Sequence, residues 1–191
     1  MNEKALHEAK VLWKASGMTI PETAQQAAAV LNEAGIPALI AGGLAVQAHG
    51  YPRFTVDADL VVPDIITAHQ VLLAHGYSAS VGSLAGVIDP QSKVRVDLLP
   101  GGSSLTPRCP VNFPMPTDLG HIYISLPDLI SVKLGSFISN PMRRAKDKAD
   151  VIELTIRNHL SRNLAGIHRA VQQLYIETWD AIKAEPEGPA S

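Results

Sequence analysis

No intramolecular disulfide is possible in this chain, which has a single cysteine, Cys109, among 191 residues. The same count removes any cysteine-based zinc cluster and agrees with a reducing compartment. An excess of positive charge is also missing. Lysine and arginine total 16 against 18 aspartates and glutamates, a net charge of -2, so no overall field draws the chain to nucleic acid or to an anionic membrane. Any anion site has to be local. No apolar stretch reaches the roughly 18 residues of a membrane span, and the opening MNEKALHEAKVLWKASGM mixes acids and bases too freely for a signal-peptide core. A soluble, cytoplasmic protein with no membrane partner is expected. Absent too are a Gly-x-Ser-x-Gly elbow, a Gly-Lys-Ser/Thr phosphate loop and a Gly-x-Gly-x-x-Gly fingerprint. The seven histidines show no metal-ligand spacing, and His49 and His121 read as packing or surface residues. With 46% apolar and 18% charged residues, enough core material is present to exclude wholesale disorder.

Apolar positions recur at helical spacing over 3 to 16 and 22 to 34, with Thr19 placed to cap and Pro21 suited to a first turn. Gly35 closes the second helix. Pro37 to Ala41 is a short buried-strand run, the Gly42-Gly43 doublet interrupts it, and Leu44 to His49 reads as a short helix. From Thr55 to Val62 polar and apolar residues alternate, the pattern of a strand with one covered face, so Thr55, Asp57 and Asp59 share a side. A helix from Pro63-Asp64 to about Leu73 follows, then weak strand signals at 77 to 81 and 86 to 88. A clear strand at 93 to 99 turns Arg95 and Asp97 one way and Val94, Val96 and Leu98 the other. Residues 100 to 119, rich in Pro, Gly and Ser, form a long irregular segment of the kind that serves as a lid or mobile flap. A short strand at His121 to Ile124 precedes a helix capped by Ser125 and ended by Asn140-Pro141. Two further helical stretches cover 143 to 159 and 161 to 183. The alternation of helices and strands points to an α/β (α+β) chain.

Asp57 and Asp59 hold their Cα atoms about 7 Å apart on one strand face, close enough to converge on one cation. Oxygen-only ligands favour Mg²⁺ or Mn²⁺ over zinc; the bland alternative is a pair of solvated aspartates. Gly42-Gly43 lets backbone approach a ligand and opens a helix whose amides can receive phosphate oxygens, or it is simply a turn. Asp97 adds a third carboxylate from another strand, or pairs with Arg95. Lys133 projects from an apolar stripe, as a site cation or as a lysine snorkelling to water. Asp147 faces the packed side of its helix, for catalysis or for an ion pair with Arg143 or Arg144. Arg53 either braces Asp57 or touches a phosphate.

Taken in order, Ala41-Gly42-Gly43, then Arg53-Phe54-Thr55-Val56-Asp57-Ala58-Asp59, then Val96-Asp97-Leu98 resemble the nucleotidyltransferase superfamily of polymerase-beta type. The pattern there is a Gly-Gly or Gly-Ser turn, a downstream Asp-x-Asp and a later acidic residue. The run Arg-Phe-Thr-x-Asp-x-Asp is especially similar to the AbiEii-type branch, whose nucleotidyltransferases serve as toxins in toxin-antitoxin and abortive-infection systems. That branch also carries a lysine on a later helix and a basic-Asp-x-x-Asp segment, to which Lys133-Leu134 and Lys146-Asp147-Lys148-Ala149-Asp150 are similar.

The resemblance spans residues 41 to 150 and implies a small mixed sheet flanked by helices. It divides the chain into N-terminal helices (1–35), a nucleotidyltransferase core (36–126), C-terminal helices packed on that core (127–184) and a flexible tail (185–191). It further implies transfer of a nucleoside monophosphate from a nucleoside triphosphate to an acceptor hydroxyl, with release of pyrophosphate. Asp57, Asp59 and Asp97 would bind Mg²⁺ or Mn²⁺, with Asp97 also helping to deprotonate the acceptor. Gly42, Gly43, Arg53 and Thr55 would bind the nucleotide, and Lys133 and Asp147 would complete the catalytic set. Transfer RNA, a protein side chain and a small hydroxylated metabolite such as an aminoglycoside all fit as acceptor, and an antitoxin protein is a possible partner. The alternative is a catalytically inactive nucleotide- or partner-binding module of the same fold. A metal-dependent hydrolase would use the same acids.

Overall fold

The computed structural model describes residues 18–81, 85–104, 106–119 and 122–184. The helix read at 3 to 16, His121 and the tail from Glu185 lie outside the described residues. The described chain runs α1 (Ile20–Glu33), β1 (Leu39–Ile40), α2 (Gly42–Ala48), β2 (Asp57–Val62), α3 (Ile65–Ala74), β3 (Ser78–Ala79), β4 (Gly86–Ile88), β5 (Arg95–Pro100), α4 (Leu126–Ser139), α5 (Ala145–Arg157) and α6 (Arg169–Ala184). Thr19 starts α1 through a capping box: its hydroxyl accepts from the Glu22 amide, and the Glu22 carboxylate accepts from the Thr19 amide at 2.6 Å. Ser125 caps α4 without the reciprocal backbone bond: its hydroxyl accepts from the Asp128 amide and donates to the Asp128 carboxylate at 2.6 Å.

The five strands form one mixed sheet in the order β1-β2-β5-β4-β3, in which β2 and β5 are parallel and the other pairs antiparallel. Parallel neighbours need a crossover; here α3 and the β3-β4 hairpin provide it. Side chains alternate across the sheet, so Ala58, Leu60 and Val62 of β2 and Val96 and Leu98 of β5 enter one apolar cluster with Ala24, Ala27 and Leu31 of α1 and Ala68 and Leu72 of α3. Val61 points the opposite way, into a second cluster built on Leu129, Ile130 and Leu134 of α4, Val151 and Leu154 of α5, and Val171 and Tyr175 of α6. Two cores therefore grip the central strands from opposite faces. Among the described residues no helix is long and apolar enough to cross a membrane.

Three expectations need correction. The last helix begins at Arg169, not 161; Leu160, Leu164 and Ile167 pack on the second cluster with helix-like spacing, yet they lie in turns that contain Gly166 at φ +84°. Those turns are held by Tyr175 Oη donating to the Ser161 carbonyl at 2.9 Å and Trp179 Nε1 donating to the Leu160 carbonyl at 2.8 Å. The stretch near residue 123 pairs only as a bridge, Ile40 to Tyr123. The segment after β5 is pinned, not an open flap. Gly101 bridges Phe113, the Gly102 amide donates to the Phe113 carbonyl at 3.0 Å, and the Phe113 amide donates to the Ser103 carbonyl at 2.9 Å.

Candidate active site

Parallel register places Asp59 beside Asp97 and Asp57 beside Arg95. Because β2 sends Ala58 and Leu60 into the first core, Asp57 and Asp59 emerge on the other face, and Asp97 emerges there with them. All three acids line one cleft of about 720 Å³ together with Gly42, Gly43, Arg53, Thr55, Lys133 and Asp147. Every candidate metal, nucleotide and catalytic residue named from the sequence lines that cleft.

The turn between β1 and α2 closes one side. Gly42 has φ +58°, in the left-handed region, and a Cβ built on it would sit 1.8 Å from Asp59 Oδ2. Gly43 is confined as well, though less tightly: its Cβ would come within 2.7 Å of Thr55 Oγ1 and 2.8 Å of Arg53 Nη2. Glycine is required twice over at position 42, for its backbone angle and for the space that Asp59 fills. Gly42→Ala is expected to cost at least about 1–2 kcal/mol from the left-handed backbone alone and to push the Asp59 carboxylate aside. Urea denaturation checks the first effect, and loss of the raised Asp59 titration near pH 6 checks the second.

Burial, reinforced by the neighbouring Asp57 and Asp97 carboxylates, raises the Asp59 carboxyl from its ordinary 3.8 to about 6, against the opposing pull of Lys133 and Lys146. The other two acids have partners. Thr55 Oγ1 donates to Asp57 Oδ1 at 3.0 Å, and Arg95 donates from Nε and Nη2 to Asp97 Oδ1, both at 2.7 Å. Arg95 thus pairs with Asp97 while Asp97 also faces the cleft. Among the described residues no group of three or more acids, histidines or cysteines is already drawn to metal-ligand spacing. The donor set nonetheless suits a hard divalent cation: it is all oxygen, and Asp59 sits among like charges, held against a turn that has no side chain to spare.

The far wall is a buried ion network. Lys133 Nζ on α4 donates to Asp147 Oδ1 at 3.0 Å and Asp150 Oδ2 at 2.6 Å, both on α5. Arg53 Nε approaches Asp150 Oδ1 at 3.2 Å, and Arg144 Nη1 lies 3.6 Å from Asp147 Oδ2. Asp147 therefore does make the ion pair with Arg144, but its closer partner is Lys133. Arg53 braces Asp150, not Asp57. Lys133 does not snorkel, being 5% exposed. Asp150 is the member to which the sequence reading gave no role; its position three residues after Asp147, one turn along the same helix face, was the signal. Ser136, Arg144, Lys146 and Phe113 also line the cleft without having been singled out for it. His49 is a packing residue, its Nε2 hydrogen-bonded to the Ile124 carbonyl at 2.8 Å.

No known family profile matches the chain, and no curated protein matches it. Among solved structures it is similar to antibiotic-resistance factor ANT(2'')-Ia, a solution structure described as revealing substrate-regulated conformation dynamics. The identity is 13% and the TM-score 0.48, and the match covers 85% of this chain and 92% of that one.

Proposed function

We propose that this chain is a metal-dependent nucleotidyltransferase, moving a nucleoside monophosphate from a nucleoside triphosphate to an acceptor hydroxyl. One observation carries the reading: Asp57, Asp59 and Asp97 come together on one face of the paired strands β2 and β5, and Asp59 abuts a glycine turn that leaves no room for a side chain. A neutral or purely structural role gives no reason to gather three carboxylates from two strands, whereas phosphoryl transfer does. Asp57, Asp59 and Asp97 would hold Mg²⁺ or Mn²⁺, which when bound supplies charge neutralisation at the phosphates.

The chain's own groups would do the rest. Gly42 and Gly43 present backbone to the triphosphate, and Thr55 holds Asp57 in place by the 3.0 Å hydrogen bond to its carboxylate. Asp97, once clear of Arg95, accepts the proton of the attacking hydroxyl. The acceptor oxygen then bonds to the α-phosphorus, the α–β phosphate bond breaks, and pyrophosphate leaves. Lys133, held by Asp147, contributes positive potential from the wall.

The finer placement near AbiEii-type toxins is supported by the run Arg53 to Asp59, by Lys133 and by Asp147 with Asp150. In that reading expression arrests growth, and an antitoxin protein relieves the arrest. The chemistry is tested by offering nucleoside triphosphates labelled at the α-phosphate to transfer RNA, protein and small hydroxylated acceptors. Label on an acceptor with pyrophosphate in solution is the expected result. Release of inorganic phosphate would instead identify a hydrolase, and nucleotide binding without transfer would leave the inactive module.

A further inference from the structure

The ion network behind the cleft holds three cations and two acids: Arg53, Lys133 and Arg144 against Asp147 and Asp150. Within this group one positive charge is left over, and the geometry decides which side chain expresses it toward the cleft. Lys133 is buried and spends its ammonium on two carboxylates, at 3.0 and 2.6 Å. Arg144 stands at the rim with its side chain 41% exposed. Arg53 is different. Its Nε lies 3.2 Å from Asp150 Oδ1, an ion pair whose N–H is not aligned for a hydrogen bond, and its Nη1 donates to the Phe54 carbonyl at 3.2 Å. Nη2 then lies against the glycine turn, 2.8 Å from where a Gly43 Cβ would be. A guanidinium carries its donors in one rigid plane, so the hydrogen bond at Nη1 and the ion pair beside Nε together restrict where Nη2 can lie.

We propose that Asp150 is a positioning residue: its ion pair with Arg53 keeps the guanidinium beside the Gly42-Gly43 turn, where the outer nitrogen meets a phosphate of the nucleoside triphosphate. The proposal rests on the nucleotidyltransferase reading of the same site. Asp150 is suited to this because it cannot follow Arg53 outward. It is 3% exposed, and its second oxygen is tied to Lys133 at 2.6 Å. The phosphate cradle of the β1-α2 turn is in this way adjusted from α5, an element far along the chain but adjacent in space.

The test is calorimetric titration of inorganic tripolyphosphate into the full chain with Mg²⁺ present. Arg53→Gln is expected to weaken binding by about tenfold or more, as loss of a charge-assisted contact does. Asp150→Asn is expected to weaken it several-fold in the wild-type background but by less than about twofold in the Arg53→Gln background, because its effect passes through Arg53. Arg53→Lys keeps the charge and loses the planar fork, so it should lose nearly as much affinity as Arg53→Gln. Equal cost of Asp150→Asn in both backgrounds would make Asp150 merely structural and overturn the proposal. Wild-type affinity in Arg53→Lys would overturn it as well, and that arm decides even if Asp150→Asn does not fold. Failure of the wild-type chain to bind tripolyphosphate would sink the nucleotidyltransferase reading along with this one, an outcome distinct from intact binding with additive variants.

Discussion

Replacing Asp59 by asparagine is expected to stabilise the metal-free protein and, at the same time, to abolish nucleotidyl transfer. The stability effect follows from the carboxyl's position, where burial and two neighbouring carboxylates raise it from 3.8 to about 6. An acid raised on folding holds a proton that the unfolded chain has already released. Its folded state is therefore undisturbed at and below about pH 4, loses stability as pH climbs toward 6, and carries the whole penalty at pH 7. At about 1.4 kcal/mol per pH unit the penalty is about 3 kcal/mol. Asparagine removes it, so thermal melts of the variant should show little of the fall in stability between pH 4 and 7 that the wild type shows. Added Mg²⁺ should recover stability at pH 7 in the wild type and not in the variant. Transfer should fall by at least about a hundredfold, the order seen when a charge-stabilising group is removed from a reaction centre. If Asp59→Asn destabilises the metal-free chain, the carboxylates are not crowded in solution and the site assignment fails.

Lys133→Met should change stability by at least as much, in the opposite direction. Removing the ammonium strands Asp147 and Asp150, which are 5% and 3% exposed, and breaking a buried pair by deleting one partner typically costs about 3–5 kcal/mol. Arg53 still covers one oxygen of Asp150 at 3.2 Å, while Arg144 reaches Asp147 only at 3.6 Å, so Asp147 bears most of the loss. Adding Asp147→Asn to Lys133→Met should then return part of the stability, giving a coupling of about 1–3 kcal/mol in chemical denaturation. Simple additivity of the two substitutions would mean that the ion pair is not formed in solution.

The acidic cluster and the glycine turn were legible in the sequence because the physics that sets them is local. Strand alternation alone fixes that Asp57 and Asp59 share a face, and that Asp97 leaves its strand opposite Val96 and Leu98. Whether the two strands pair, and in which register, is a long-range matter that single residues do not announce. The polymerase-beta-like pattern suggested it, and the pairing of Asp59 with Asp97 agrees. Asp150 was harder to see. Its role depends on which face of α5 meets α4, and that is settled by Val151 and Leu154 packing with Leu129, Ile130 and Leu134 in the second core, not by anything next to Asp150. The false start of the last helix has a similar origin: Leu160, Leu164 and Ile167 satisfy helical spacing while being held by Trp179 and Tyr175 as a packed turn.

The parallel contact of β2 with β5 bears on how the protein is made. On the ribosome the acid-bearing strands emerge well before α4 and α5, so for part of synthesis the negative face exists without Lys133 to balance it and without the apolar cover that α4 and α5 lay beneath the cleft. A chain cut short within α5 would keep the three acids of the sheet but not a complete cleft, and quality-control proteases would meet an open sheet instead of a closed fold.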